Sequence, residues 1–264
     1  FGTGTLVPDI NKKNKLFRRY KMFKKLIFGL SLWLFATTLI FGANFQDGVN
    51  AVNKGDYKAA LAIFEDLSSK GDAEAQNSLG GMYIYGLGVK QDSNKGILLI
   101  EKAANQGLVR AQNNLGLMYY NGQGVRQDYK KAFEWYEKVA TQGIAEAQYN
   151  LGLMYYNGQG VRQDYKKAFE WFEKAATQGY VYAQYNLGLM YYNGQGLKQD
   201  YKKAFEWFEK AAKKGLIEAQ NNLGNMYYFG QGVKQDYKKA KEYFGKACDG
   251  GNQIACINYK KLNP

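Results

Sequence analysis

The sequence predicts an all-α solenoid, a right-handed superhelical stack of α/α hairpins. Three observations predict it. Leu79, Leu115, Leu151, Leu187 and Leu223 recur every 36 residues, as do Met82, Met118, Met154, Met190 and Met226. Within a period, Ala147, Leu151, Met154 and Tyr155 fall at i, i+4, i+7 and i+8, the spacing of one buried helix face. Glycines at Gly158, Gly160 and Gly179 then divide each period into two helices. One such hairpin cannot bury its apolar side, whereas stacked copies can.

The elements follow in order. Residues 1–21 carry no apolar period and are expected to be unstructured and not necessarily native. Residues 22–43 have the layout of an export signal: Met22, then Lys24 and Lys25, then the uncharged 16-residue run Leu26 to Phe41. Ala43 is the candidate cleavage point, although Phe41 stands where a small residue is preferred. As a helix that run spans about 24 Å, short of the ~30 Å hydrocarbon core. A cleaved signal is therefore expected, with a retained inner-membrane anchor facing the periplasm as the alternative.

Residues 44–71 read as a divergent first hairpin with a tight Lys54-Gly55-Asp56 turn and apolar positions Val49, Val52, Tyr57, Ala60, Leu61, Phe64 and Leu67. Residues 72–251 hold five 36-residue units, each a helix A, a glycine loop and a helix B. Asp164 is placed to cap helix B of its unit, which is worth ~1 kcal/mol. Ala168, Trp171, Phe172, Ala175 and Ala176 form that helix's buried face. Glu170 precedes Lys174 by four, the favourable order for an ion pair, as do Glu134/Lys138 and Glu206/Lys210. Gly152 and its counterparts Gly80, Gly116, Gly188 and Gly224 sit inside helix A, at about 1 kcal/mol each against Ala. Close helix–helix approach is the simplest reason to keep them. Residues 252–264 read as one more helix A, the C-terminal cap.

Composition narrows the chemistry. The chain of 264 residues has no histidine, which excludes Ser-His-Asp and Cys-His catalysis and His-ligated zinc. Two cysteines cannot make a four-thiolate site. The net charge of +13 includes eight basic residues and one acid within residues 1–43, leaving 28 − 22, or +6, on the body. That is no case for nucleic acid. No cofactor, metal or catalytic residue is expected. Gly122-Gln123-Gly124 is not a nucleotide loop, because Gln127 stands where a third glycine belongs and a helix precedes it.

The phrase A-x-x-x-L-G-x-M-Y-x-x-G-x-G-V-x-Q-D-Y-x-x-A-x-x-W-[YF]-x-K-A-A-x-x-G, matched throughout from Ala147 to Gly179, resembles the Sel1-like repeat, a relative of the tetratricopeptide repeat. Leu99 replaces the tryptophan in the first such unit and Tyr243 replaces it in the last. The resemblance implies an all-α superhelix used for protein–protein contact, often as an adaptor. Cys248 and Cys256 stand where other units carry Ala and Gln, and their C-x7-C spacing resembles the secreted Helicobacter cysteine-rich proteins. That likeness implies a Cys248–Cys256 disulfide, a periplasmic or secreted protein and, as the alternative function, penicillin binding with weak β-lactamase activity. The serines beyond the signal, Ser68, Ser69, Ser78 and Ser93, start no S-x-x-K motif.

The expected function is a binding module for a protein or peptide partner, acting through the concave surface lined by helix A. Positions there that face away from the core are Tyr149 and Tyr185; Asn114, Asn150, Asn186 and Asn222; and Tyr120, Tyr156, Tyr192 and Tyr228. Asn offers donor and acceptor to a peptide backbone, and Tyr offers rigid area with a polar tip. The repeated Asn also suits a ladder between neighbouring units. The pairs Lys130/Lys131, Lys166/Lys167, Lys202/Lys203 and Lys238/Lys239 form a basic edge, either a solvated face or a seat for an anionic cell-envelope polymer.

Overall fold

Each 36-residue period folds as two 13-residue helices separated by a seven-residue loop. The computed structural model describes residues 43–262. The expected export signal in 22–43 and the extension 1–21 therefore lie outside the described residues, Ala43 excepted. Thirteen helices and no strand occur among the described residues. They are α1 (Phe45–Asn53), α2 (Tyr57–Ser69), α3 (Ala73–Tyr85), α4 (Ser93–Asn105), α5 (Val109–Asn121), α6 (Tyr129–Thr141) and α7 (Ala145–Asn157), followed by α8 (Tyr165–Thr177), α9 (Val181–Asn193), α10 (Tyr201–Lys213), α11 (Ile217–Phe229), α12 (Tyr237–Asp249) and α13 (Gln253–Lys261). The all-α repeat architecture is the one the period predicts. The described residues divide into two compact units, 43–139 and 140–262.

Local chemistry sets the helix ends. Helix α7 stops at Gly158, whose φ of 68° is left-handed backbone that glycine adopts without steric cost. The loop then folds back: Gln163 donates its side-chain amide to the Tyr156 carbonyl at 2.8 Å, and Asp164 N–H reaches the Tyr155 carbonyl at 2.9 Å. The Asp164 carboxylate accepts from Lys166 and Lys167 N–H, both at 3.0 Å, which starts α8. The first hairpin uses the same devices, with an Asn44/Asp47 capping box on α1 and Asp56 capping α2.

In unit 140–262 the core is layered hairpin by hairpin: Ala147, Leu151 and Met154 of α7 face Ala168, Phe172 and Ala175 of α8, all fully buried. Helix A is enclosed more widely than its period predicts. In α9 every residue from Ala183 to Met190 is buried, because a helix inside a stack is flanked by its own helix B and by neighbouring hairpins. The outer face of helix B also differs from expectation. Lys138, Lys174 and Lys210 lie with Nζ 4.1, 4.0 and 3.8 Å from the ring centroids of Trp135, Trp171 and Trp207. Ion pairs at i,i+4 on or at the end of a second helix include Asp66–Lys70 at 2.6 Å, Glu209–Lys213 at 3.1 Å and Glu242–Lys246 at 2.7 Å, the last in the register of Glu170 and Lys174 and in the unit where Tyr243 replaces the tryptophan.

Candidate binding surface

Hairpins are joined by a repeated amide. The first turn of helix A carries a Gln that donates to a carbonyl eight residues earlier, at the end of helix B: Gln112 to Ala104 at 3.0 Å, Gln148 to Ala140 at 3.2 Å and Gln184 to Ala176 at 3.1 Å. These amides also meet the end of helix B of their own hairpin, as where Gln178 Nε2 donates to Gln148 Oε1 at 2.8 Å. At the last junction the same two positions are Cys248 and Cys256, joined by a disulfide with a sequence separation of 8. The covalent bond stands where the amide bond stands elsewhere.

The tyrosines at the end of helix A are part of this stitching. Tyr156 donates its hydroxyl to Gln195 Oε1 of the next hairpin at 2.8 Å, and Tyr192 does the same to Gln231 at 2.9 Å. Each ring meets the first tyrosine of its own helix B edge-on: Tyr120 with Tyr129, Tyr156 with Tyr165, Tyr192 with Tyr201 and Tyr228 with Tyr237, at centroid distances of 5.3, 5.0, 5.1 and 5.2 Å. Burial raises the Tyr156 phenol pKa, and the Gln195 bond offsets part of that. These four tyrosines are half-buried, and the two bonded hydroxyls face the next hairpin instead of open solvent.

The asparagine positions divide. Asn114 donates to Asn77 Oδ1 at 3.0 Å, and Asn222 reaches the Tyr185 hydroxyl at 3.4 Å, so both act as rungs between hairpins. Asn150 is half-buried. Asn186, 1% exposed, is interior, and so is Tyr185 at 5%. These two therefore leave the surface on which the helical period had placed them. Tyr185 packs on Phe208 at 5.6 Å, and burial pushes its phenol pKa up to about 12.

Tyr149 belongs to a cluster that the helical period did not disclose. Its ring lies 5.0 Å from Tyr180 and 6.2 Å from Tyr182, which are 6.0 Å from each other. Tyr149 also meets Phe172 at 5.7 Å, which fixes it from below. Burial raises the Tyr180 phenol pKa strongly, and the neighbouring Glu146 carboxylate adds to the rise. Tyr182, 39% exposed, is the open edge of the cluster. Tyr180-Val181-Tyr182 replaces Ile144-Ala145-Glu146 of one neighbouring unit and Leu216-Ile217-Glu218 of the other. That local break in near-identical units was the signal available in the sequence.

The lysine edge is exposed. The second lysine of each pair lies over a helix A tyrosine: Lys131 on Tyr119 at 4.9 Å, and Lys167 on Tyr155, Lys203 on Tyr191 and Lys239 on Tyr227, each at 5.2 Å. An open hollow of about 480 Å³ lies there, lined by residues including Arg162, Asp164, Tyr165 and Lys167. The N–H groups of Lys166 and Lys167 at this helix start are already taken by Asp164, which weakens the hollow as an anion seat. Among the described residues no group of three or more His, Cys, Asp or Glu is placed to hold a metal. Ser78 is buried, and Ser69 donates to the Asp66 carbonyl at 2.7 Å.

The fold is that of a helical-hairpin repeat protein, and the loop and junction chemistry repeats from unit to unit. The chain belongs to the Sel1 repeat family: the family model matches residues 73–108, 109–144, 145–180, 181–216 and 217–252. Among solved structures, a Sel1 repeat protein from Oxalobacter formigenes is 35% identical over 80% of this chain and 86% of its own, with a TM-score of 0.70. A protective antigen of uropathogenic Escherichia coli with an SLR fold is 34% identical over 76% of this chain and 51% of its own, with a TM-score of 0.49. Helicobacter pylori cysteine-rich protein B is 28% identical over 49% of this chain and 93% of its own, at a TM-score of 0.40. No match to a curated protein was found.

Proposed function

We propose that the protein is a binding module that captures a protein or peptide partner at the Tyr149–Tyr180–Tyr182 face. The observation that carries this reading is the cluster itself. Three tyrosines gather where the units otherwise repeat Leu, Ile, Asn, Arg or Glu, with Tyr182 open to solvent. Tyrosine supplies rigid area at low entropic cost, and such residues dominate binding energy at interfaces. Glu146 acts on Tyr180, so the face combines aromatic rings with negative charge. A Lys or Arg side chain of a peptide suits both.

The Cys248–Cys256 disulfide supports a place outside the reducing cytoplasm, in the periplasm or beyond the cell. Among the described residues no helix is long and apolar enough to cross a membrane. We assign no role to β-lactam turnover, for which no serine of the described residues has an S-x-x-K setting. A photoreactive residue at 182, activated in cells that make the protein, tests the proposal. A partner attached through a segment bearing Lys or Arg supports it. A partner that crosslinks only from the lysine edge at Lys166 or Lys202 overturns it.

A further inference from the structure

One internal joint lacks the parts that close the others. In unit 140–262 the Tyr156 hydroxyl donates to Gln195 and the Tyr192 hydroxyl to Gln231, so each of these loop glutamine oxygens has a phenol against it. Gln123 holds the corresponding place in unit 43–139, but Ile84 stands at the tyrosine position. Gln123 Oε1 is shielded from solvent and has no hydrogen-bond partner. Three further replacements by smaller residues gather around it. Gly81 replaces the leucine of positions 117, 153 and 189, Ser93 replaces Tyr129, Tyr165 and Tyr201, and Ile100 replaces Tyr136, Phe172 and Phe208. Ser93 and Ile84 both lie against Gly124 of the glutamine's own loop. Part of the lost volume is taken up by closer packing of α3 on α4: a β-carbon at Gly80 would stand 2.6 Å from the Gly96 carbonyl oxygen. The rest remains as a narrow cleft. Buried Gly81, Ile84, Ile100 and Met118 make its floor, and half-buried Leu117 and Gln123 stand at its rim. About 310 Å³ lies between its walls and mouth, of which about 20 Å³ is open to the centre of a water molecule.

We propose that this cleft binds a small monocyclic phenol, with its hydroxyl donated to Gln123 Oε1 and its ring on Ile84, Ile100 and Met118. The chain's other joints define the complement: an aromatic ring that ends in one hydroxyl, held by a glutamine oxygen. A hydrocarbon ring would leave that shielded oxygen without a donor, and water alone would leave the apolar floor uncovered. Met118 supplies a wall that adapts to a ring, being flexible and unbranched. So little room suits a free molecule, because a tyrosine carried on a peptide brings a backbone to the rim as well. The cleft shares no residue with the Tyr182 face, so either proposal can fail without the other.

The test uses the full chain with isotope-labelled isoleucine and methionine methyl groups, titrated separately with p-cresol, which is the tyrosine side chain as a free molecule, and with toluene, which lacks only the hydroxyl. The Ile84, Ile100 and Met118 signals are expected to shift saturably with p-cresol, with a dissociation constant near about 1 mM for so few atoms. Toluene is expected to bind at least about tenfold more weakly. Gln123→Leu, the residue type that Leu87 places in the first loop, should keep the fold and make the two ligands equal. Ile84→Tyr, the residue of the other joints, supplies ring and hydroxyl from the chain itself and should abolish binding. Gly81→Leu, also the residue of other hairpins, should do the same by filling the floor. No saturable shift, equal binding of p-cresol and toluene to the native chain, p-cresol binding unchanged in Ile84→Tyr or in Gly81→Leu, or a blocked tyrosine tripeptide binding more tightly than p-cresol would overturn the inference.

Discussion

The Phe172 ring lies against the backbone of Gly152 so closely that a β-carbon at 152 would stand 2.7 Å from both Cδ1 and Cε1. The relation recurs between Gly188 and Phe208 and between Gly224 and Phe244, and with Tyr136 over Gly116. The helix A glycine is thus the floor on which the helix B aromatic ring packs. Ala at 152 gains about 1 kcal/mol of helix propensity. It also forces a rigid, fully buried ring to move, at about 1–3 kcal/mol. Gly152→Ala is therefore expected to lower stability by up to about 2 kcal/mol in urea unfolding. Adding Phe172→Leu should restore part of that loss, a coupling read from the double-mutant cycle.

The disulfide replaces an amide bond, so the replacement can be reversed. Cys248→Ala with Cys256→Gln rebuilds the Ala–Gln pair of the internal junctions. Losing a bridge over a loop this short costs about 2–3 kcal/mol by the chain-entropy estimate, and the restored amide should return about 1 kcal/mol. Hydrogen exchange in 237–262 is expected to be slowest in the native chain, intermediate in the Ala/Gln variant and fastest with Ala at both positions. Equal exchange in the two variants would show that the Gln bond contributes nothing there.

Alkali should loosen α9 and α10. The Tyr185 phenol titrates at about 12 in the folded chain, against about 10 when unfolded. Its neutral form therefore stabilises the fold fully below pH ~10, and that contribution is lost as pH rises toward ~12. Burial acts on Tyr180 in the same direction. Melting temperature should fall across this window while phenolate absorbance rises. Tyr185→Phe should melt with a shallower dependence on pH.

Much of this architecture was legible in the sequence. The 36-residue period, the Asp164 cap and the demand for close approach at Gly152 each follow from residue type and spacing, and each has a counterpart in the structure. The candidate surface was less legible, because a helical period separates one buried arc from one exposed arc. In a stack, helix A is flanked by its own helix B and by neighbouring hairpins, so Tyr185 and Asn186 are enclosed and Tyr156 is bonded across to Gln195. The order Glu170–Lys174 pointed to an ion pair. The Trp171 ring one turn earlier offers the ammonium a larger face, and exposed ion pairs are worth little. Tyr180 and Tyr182 were visible as departures from the repeat, but their convergence on Tyr149 is a property of the packed hairpins.

The central claim is a division of labour: Tyr182 serves a partner, while Tyr156 and Tyr192 hold consecutive hairpins together. The most direct measurement compares Tyr182→Ala with the double variant Tyr156→Ala/Tyr192→Ala, reading melting temperature and capture of the partner crosslinked at 182. The account predicts that Tyr182→Ala melts like the native chain and loses at least about tenfold in capture. It predicts that the double variant, deprived of its bonds to Gln195 and Gln231, loses about 2–4 kcal/mol of stability. A double variant that melts like the native chain yet loses the partner, beside a Tyr182→Ala chain that captures it normally, would contradict the account.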